Sequence, residues 1–461
     1  MDSTAQQDNQ PMDPEGPTGE LCNWVYNVKL SDIPSDVQTR TKYLILDGIA
    51  CLLVGAHLLW SEKAASAIFE MDPLGSATVF GYDRKSTPLS AALLNSSFIQ
   101  GFELDDWHSE APLHSNSIIL PALLAAAEYL KAVPSGAATI DGHSVGNSLH
   151  GSHMLTMGWR CGAVFGPSAS STAVSKMIGL PANQIEDAVG IACTQAGGLM
   201  SAQYESEVKR MQHGFAARSG LLAALLARAG YIGIKKVYER PYGGFLAAFG
   251  QGSNQDPPYL VDEITNGLGT KWQTWGVRIK PYASMARTHG IIDCISKLQR
   301  EHPEQTKDLS SIVSIRLEMG EAIFHHGGWN AKRPLAATGA QISNSYAAAT
   351  QLVDRERDLV WELVNKTACN YNKDIPTKGM QRAIITFKDK PTLTAEVIGA
   401  RGVYPPLTNE EIVEKWRLIT KNVIDDERRV KIEKLCLNIT DLKDITELAD
   451  VLAGLTKNPI A

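Results

Sequence analysis

"GFELDDWHSEAPLHSNSIILPALLAAAEYL", from Gly101 to Leu130, sets an acidic, histidine-bearing loop hard against a long apolar segment. The apolar part reads as a helix, with Pro121 in or near its first turn, where proline is tolerated. Ahead of it, Glu103, Asp105, Asp106, His108, Glu110 and His114 fall within twelve residues. Such a cluster at the mouth of a core helix is either a solvated loop or an active site.

Outward from this point the chain stays helical in texture. "SDIPSDVQTRTKYLILDGIACLLVG" has apolar positions at helical spacing, with Ser35 and Asp36 as expected N-caps. "LSAALLNSSFIQGFEL", "EDAVGIACTQAGGLMSAQ" and "FAARSGLLAALLARAGYIG" continue in the same way, and their alanines and glycines allow close helix packing. After Gly267 the texture changes. "WGVRIK", "SSIVSIRLEM", "QRAIITFK" and "TLTAEVIG" alternate or run in β-branched residues, as strands do. The expected organisation is mainly α: a disordered tail over 1–19, a large helical domain over 20–268, an inserted smaller α/β domain over 269–405, and a helical return over 406–461.

Composition narrows the function. With 461 residues and 44% hydrophobic content the chain can bury a large core over two or three domains. A net charge of -6 offers no basic field for nucleic acid or an anionic membrane surface. Seven dispersed cysteines, without C-x-x-C or Cys/His metal spacing, fit free thiols in a reducing compartment, and no metal is expected. The apolar run Tyr43 to Trp60 carries Asp47 and His57, so it reads as a buried helix rather than a membrane span. The polar, acidic first eighteen residues are unlike a presequence, and the expected location is cytoplasmic. No phosphate loop, nucleophile elbow or cofactor lysine motif stands out, so no cofactor is expected.

Acid/base side chains and cations remain. His114 precedes Ser115 and Ser117, expected caps of a helix whose positive end suits a carboxylate; the alternative is a loop histidine without chemistry. Glu103, Asp105 and Asp106 are either part of a site or merely solvated or salt-bridged. In "SEVKRMQHGFAARSG", Lys209 and His213 share a face if the segment is helical, with Arg210 pointing elsewhere; the alternative is a charged outer face. Lys280 ends a strand in "RIKPYASMARTHG". His325 and His326 in "FHHGGWNAKRP" are expected in a loop and are too weak a signal for a metal.

Several of these blocks resemble a known family. "ELDDWHSEAPLHS", "GIACTQAGGLMSAQY", "VKRMQHGFAARSGLLAALLA" and "ERPYGGFL" are similar to the MmgE/PrpD family, and most of all to its fungal cis-aconitate decarboxylase branch, from about Leu21 to the C-terminus. The resemblance implies a large helical domain with an inserted α/β lid, an active site in the cleft between them, a homodimer, a tricarboxylate substrate and no cofactor. It implies catalytic roles for His114, Lys209, Lys280 and Glu103, and substrate contacts from Asp105, Asp106, His108, Arg160, His213 and His326. Decarboxylation of cis-aconitate or of an alkylated homologue, in the manner of secondary metabolism, is the reaction expected. Dehydration of an alkylcitrate such as 2-methylcitrate is the runner-up, and a non-catalytic relative that binds tricarboxylates or partners comes third.

Two departures stand out. Arg160 in "MGWRCGAVFG" occupies the position of a family histidine, and an arginine binds a carboxylate but does not release a proton at neutral pH. His153 is one candidate replacement. The segment 132–158 is also shorter than its counterpart, leaving a Gly/Ser-rich loop where a family helix is expected.

Overall fold

The structure, a computed structural model, describes residues 9–131, 141–353, 356–375 and 379–460. It is mainly α. The chain divides into two compact units: Met1–Met200, Arg210–Arg278 and Thr408–Ala461 form the first, and Ser201–Lys209 with Ile279–Leu407 form the second.

The first unit is built on helices α1 (Ser35–Gly55), α2 (Pro88–Gln100), α3 (Ser115–Leu130), α4 (Cys161–Met177), α5 (Ala182–Cys193), α6 (Gln212–Arg228) and α7 (Asn409–Thr420). Helix α6 packs on α2, α3, α4 and α5, and α7 lies on α1. Small residues permit these approaches. A Cβ at Gly220 of α6 would lie 2.4 Å from Ser170 Cβ of α4, and one at Gly166 would lie 2.8 Å from Ala216 Cβ. The core between them includes Ile118, Phe165, Val164, Ile185, Val189 and Ala223, all fully buried.

Pro121 lies well inside α3, not in its first turn. A proline there lacks an N–H and would orphan the carbonyl four residues earlier. That carbonyl, on Ser117, accepts instead from the Ser96 hydroxyl of α2. Pro167 inside α4 is treated alike, since the freed Ala163 carbonyl takes the Gly197 N–H at 3.2 Å. Both exceptions to helix-breaking are thus compensated by a neighbouring segment.

Other expectations are revised locally. Residues 17–19 of the expected tail open the helix Pro17–Asn27, and the Met12 N–H donates to buried Glu186 at 2.9 Å. Pro34 is the N-cap of α1, and Ser35 is its first helical residue. The apolar run Tyr43 to Trp60 is broken: α1 stops at Gly55 and the chain bends by 84° into Leu59–Met71. No single helix among the described residues is long and apolar enough to cross a membrane, although this bent pair meets that test by length and composition. Within the shortened segment, residues 132–140 lie outside the described ones, and the rest holds the helices Asp141–Ser148 and His153–Thr156 rather than an open loop.

The second unit carries a four-stranded sheet of β1 (Ile312–Met319), β2 (Thr367–Tyr371), β3 (Gln381–Phe387) and β4 (Leu393–Val397), in the order β2-β1-β3-β4. The pair β1/β2 is parallel and the other two are antiparallel. Along β3 buried and half-buried residues alternate, which is the period-2 signature of its sequence. Helices His289–Glu301 and Asn344–Leu352 cover the sheet through Ile291, Ile295, Leu298 and Ala348. His325 and His326 belong to the helix Glu321–Gly327, not to a loop.

Candidate active site

Three helices of the first unit begin close together. His114 is the N-cap of α3, Arg160 is the N-cap of α4, and His213 is the second residue of α6. The His114 and His213 rings stand 4.7 Å apart between centroids. Gly162, in the first turn of α4, is so close to His213 that a Cβ there would lie 2.4 Å from Nε2. The positive ends of three helix dipoles therefore gather around two imidazoles.

The acidic loop enters this region in a fixed order. Glu103 adopts a left-handed φ of 58° and its Oε2 accepts from Arg210 at 3.0 Å, with both side chains buried. Arg210 also lies over the Trp60 ring, 5.1 Å from its centroid. Burial pushes the Arg210 guanidinium below its usual value, Glu103 and Asp105 oppose that, and neighbouring Arg160 adds to it. Asp105, fully buried, reaches His114: Oδ2 lies 2.8 Å from Nδ1. Asp106 turns to the start of α3 and accepts the Asn116 N–H at 3.2 Å, so it caps the helix in place of the expected serines.

Ser117 has another task. Its hydroxyl donates to the His114 carbonyl at 3.1 Å and lies 2.8 Å from His213 Nδ1. Nε2 of His213 faces the Gln100 side-chain amide at 3.3 Å. These bonds orient the His213 ring. His108 is fully buried, and its Nδ1 accepts the N–H groups of Ala111 (3.1 Å) and Glu110 (3.3 Å), so the ring braces its own turn. That turn is anchored by a short ladder pairing Trp107 with Arg278 and His108 with Val277.

Of the residues singled out in the sequence, Glu103, Asp105, Asp106, His114, Arg160 and His213 are therefore brought together in one unit. Lys209, Lys280 and His326 belong to the second unit; both lysines are buried. Lys209 and His213 do not share a continuous helix. Lys209 sits in a 3-10 turn, Glu207–Arg210, and α6 starts only after Met211. Arg210 was expected to point away and instead forms a buried ion pair. Gln100 is a site residue the sequence reading does not single out, and Ser117, expected there as a helix cap, instead contacts His213.

Chemically, the group combines a carboxylate-backed imidazole, a second imidazole and two guanidinium groups, one of them at a helix N-cap. It can bind a polyanion and move a proton. An oxygen of Asp105 and ring nitrogens of His114 and His213 lie within 4.8 Å of one another, a donor set that could also hold a divalent metal.

The fold and site define a mainly helical protein with a buried cluster of carboxylate, imidazole and guanidinium groups. The chain belongs to the MmgE/PrpD family: the MmgE/PrpD N-terminal domain matches residues 19–257 and the C-terminal domain residues 282–439. A cis-aconitate decarboxylase-like protein of Aspergillus oryzae, oryM, is 46% identical over 473 aligned residues, covering 96% of this chain and 98% of the relative. The cis-aconitate decarboxylase of Aspergillus terreus is 43% identical, covering 96% and 97%. That of Homo sapiens is 25% identical, covering 96% of each. The 473-residue alignment is longer than the 461-residue chain, so this chain carries gaps against its Aspergillus oryzae relative.

Proposed function

We propose that this protein is a cofactor-independent decarboxylase of cis-aconitate or of an alkylated cis-aconitate-like tricarboxylate. The observation that carries the reading is the Asp105–His114 pair, 2.8 Å across, set among the helix starts that bear His213 and Arg160. The names of the relatives supply the reaction class.

The chemistry suits the groups present. The leaving carboxylate sits on the methylene carbon next to the alkene. When its C–C bond breaks, that electron pair forms a new alkene at the methylene, and the old alkene pair moves to the far carbon, which takes up one proton. Carbon dioxide leaves and itaconate or its alkyl homologue remains. His114 is the proton donor on this reading: Asp105 fixes the ring through Nδ1, so the Nε2 proton is the one transferred. Arg160 holds a substrate carboxylate near the transient negative charge, as a guanidinium can by paired hydrogen bonds. Lys209 and Lys280 are kept as further carboxylate partners, and a homodimer as the assembly, on the resemblance of their motifs.

The test incubates purified protein with cis-aconitate and a long-chain alkyl analogue and follows carbon dioxide and products by mass spectrometry. Carbon dioxide release that is lost in His114→Gln and Lys280→Ala supports the reading. Water loss from an alkylcitrate without decarboxylation would replace it with the dehydratase. Silence on every substrate would replace it with a non-catalytic relative.

A further inference from the structure

The loop Glu103–Asp106 is held at one end by Arg210 on Glu103 and at the other by the Asn116 N–H on Asp106. Its middle is held by a residue more than three hundred positions away. Lys415, buried on α7, donates from Nζ to the Leu104 carbonyl at 2.9 Å and lies 2.6 Å from Asp47 Oδ1 of α1. The Leu104 carbonyl and the Asp105 N–H share one planar peptide unit. Holding that carbonyl therefore fixes the plane from which the Asp105 side chain departs towards His114.

An ion pair as deeply buried as this is a weak source of stability, because desolvating two charges offsets most of their attraction. Burial pushes the Asp47 carboxyl above its usual value, and Lys415 opposes this. On Lys415 burial acts downward, and Asp47, Cys51 and Asp105 together carry it above its usual value. The charge of Asp105 bears on both members. An apolar pair could join α7 to α1 equally well, but it could not donate a hydrogen bond to the backbone beside Asp105.

We propose that Lys415, oriented by Asp47, is a positioning residue that sets Asp105 against His114. This rests on the Asp105–His114 pair being the reacting pair, and adds to that reading a device contributed by the C-terminal helix.

The test uses the full-length double variant Asp47→Leu/Lys415→Met, which removes both charges and keeps the heavy-atom count at Asp47. It is expected to melt within a few degrees of the wild type, to keep KM within about 3-fold, and to lose about 10- to 100-fold in kcat. A second readout does not depend on the reaction. In protein carrying 15N-labelled histidine, the Nδ1 proton bonded to Asp105, assigned by its loss in His114→Gln, should shift or disappear in the double variant. If the wild type decarboxylates nothing, the functional reading fails, and the histidine resonance still tests the positioning. An unchanged resonance, or wild-type kcat in a folded double variant, would overturn the proposal. Should the leucine–methionine pair fail to fold, Asp47→Asn/Lys415→Met carries the same comparison.

Discussion

Asp105 and His114, nine residues apart in the chain, close a buried hydrogen bond of 2.8 Å between Oδ2 and Nδ1. The carboxylate fixes the ring through Nδ1. On the proposed reading, Asp105→Asn keeps the shape of the side chain and removes the charge, so kcat for carbon dioxide release should fall by about 10²- to 10⁴-fold with little change in KM. Steady-state kinetics decide this, and a loss below about threefold would take the pair out of the chemistry.

Arg160 should act on binding instead. It is buried at the start of α4 and cannot serve as a proton donor near neutral pH. Replacing it with Gln should raise KM for a tricarboxylate about 10-fold or more. The melting temperature should stay nearly constant. If kcat collapsed at constant KM, Arg160 would have to act on the transition state alone.

How much of this was legible in the chain follows from the range of each interaction. The helical body and the strands after Gly267 were readable because periodicity and small-residue content are local properties. Asp105 and His114 lie on one short loop, so their proximity was readable as well. The break at Met211 was not, since a 3-10 turn running into a helix has the composition of one longer helix. Nor was the partner of Arg210, which lies 107 residues back, or that of Lys415, 311 residues back. Pro121 deceived the reading for a similar reason: the hydroxyl that satisfies the freed carbonyl comes from another helix.

The Glu103–Arg210 pair yields a stability prediction with a sign of its own. Arg210→Met leaves a buried carboxylate without its counterion, which should cost about 3–5 kcal/mol. The double variant Glu103→Leu/Arg210→Met removes both charges and should recover much of that loss. Thermal melts of the wild type, both single variants and the double variant form the cycle. A double variant no better than Arg210→Met would mean that the pair's worth lies in its hydrogen-bond geometry rather than in charge compensation.

The cysteines give a prediction that depends on pH. All seven are free thiols, and every one except the half-buried Cys369 is buried. Burial pushes the thiols of Cys294, Cys369 and Cys436 up to about 12. The thiolate is the reactive form, so at pH 8 a thiol titrating there is ionised in only about one part in 10⁴. Native protein should therefore react slowly with an aromatic disulfide reagent at pH 8, and unfolded protein should release all seven equivalents promptly. Because ionisation is still far from complete, the native rate at Cys369 should climb about tenfold per pH unit between pH 8 and pH 10, provided the fold persists. A fast equivalent in native protein at pH 8, mapped to Cys369 by mass spectrometry, would show that its partial exposure outweighs the burial that disfavours its thiolate.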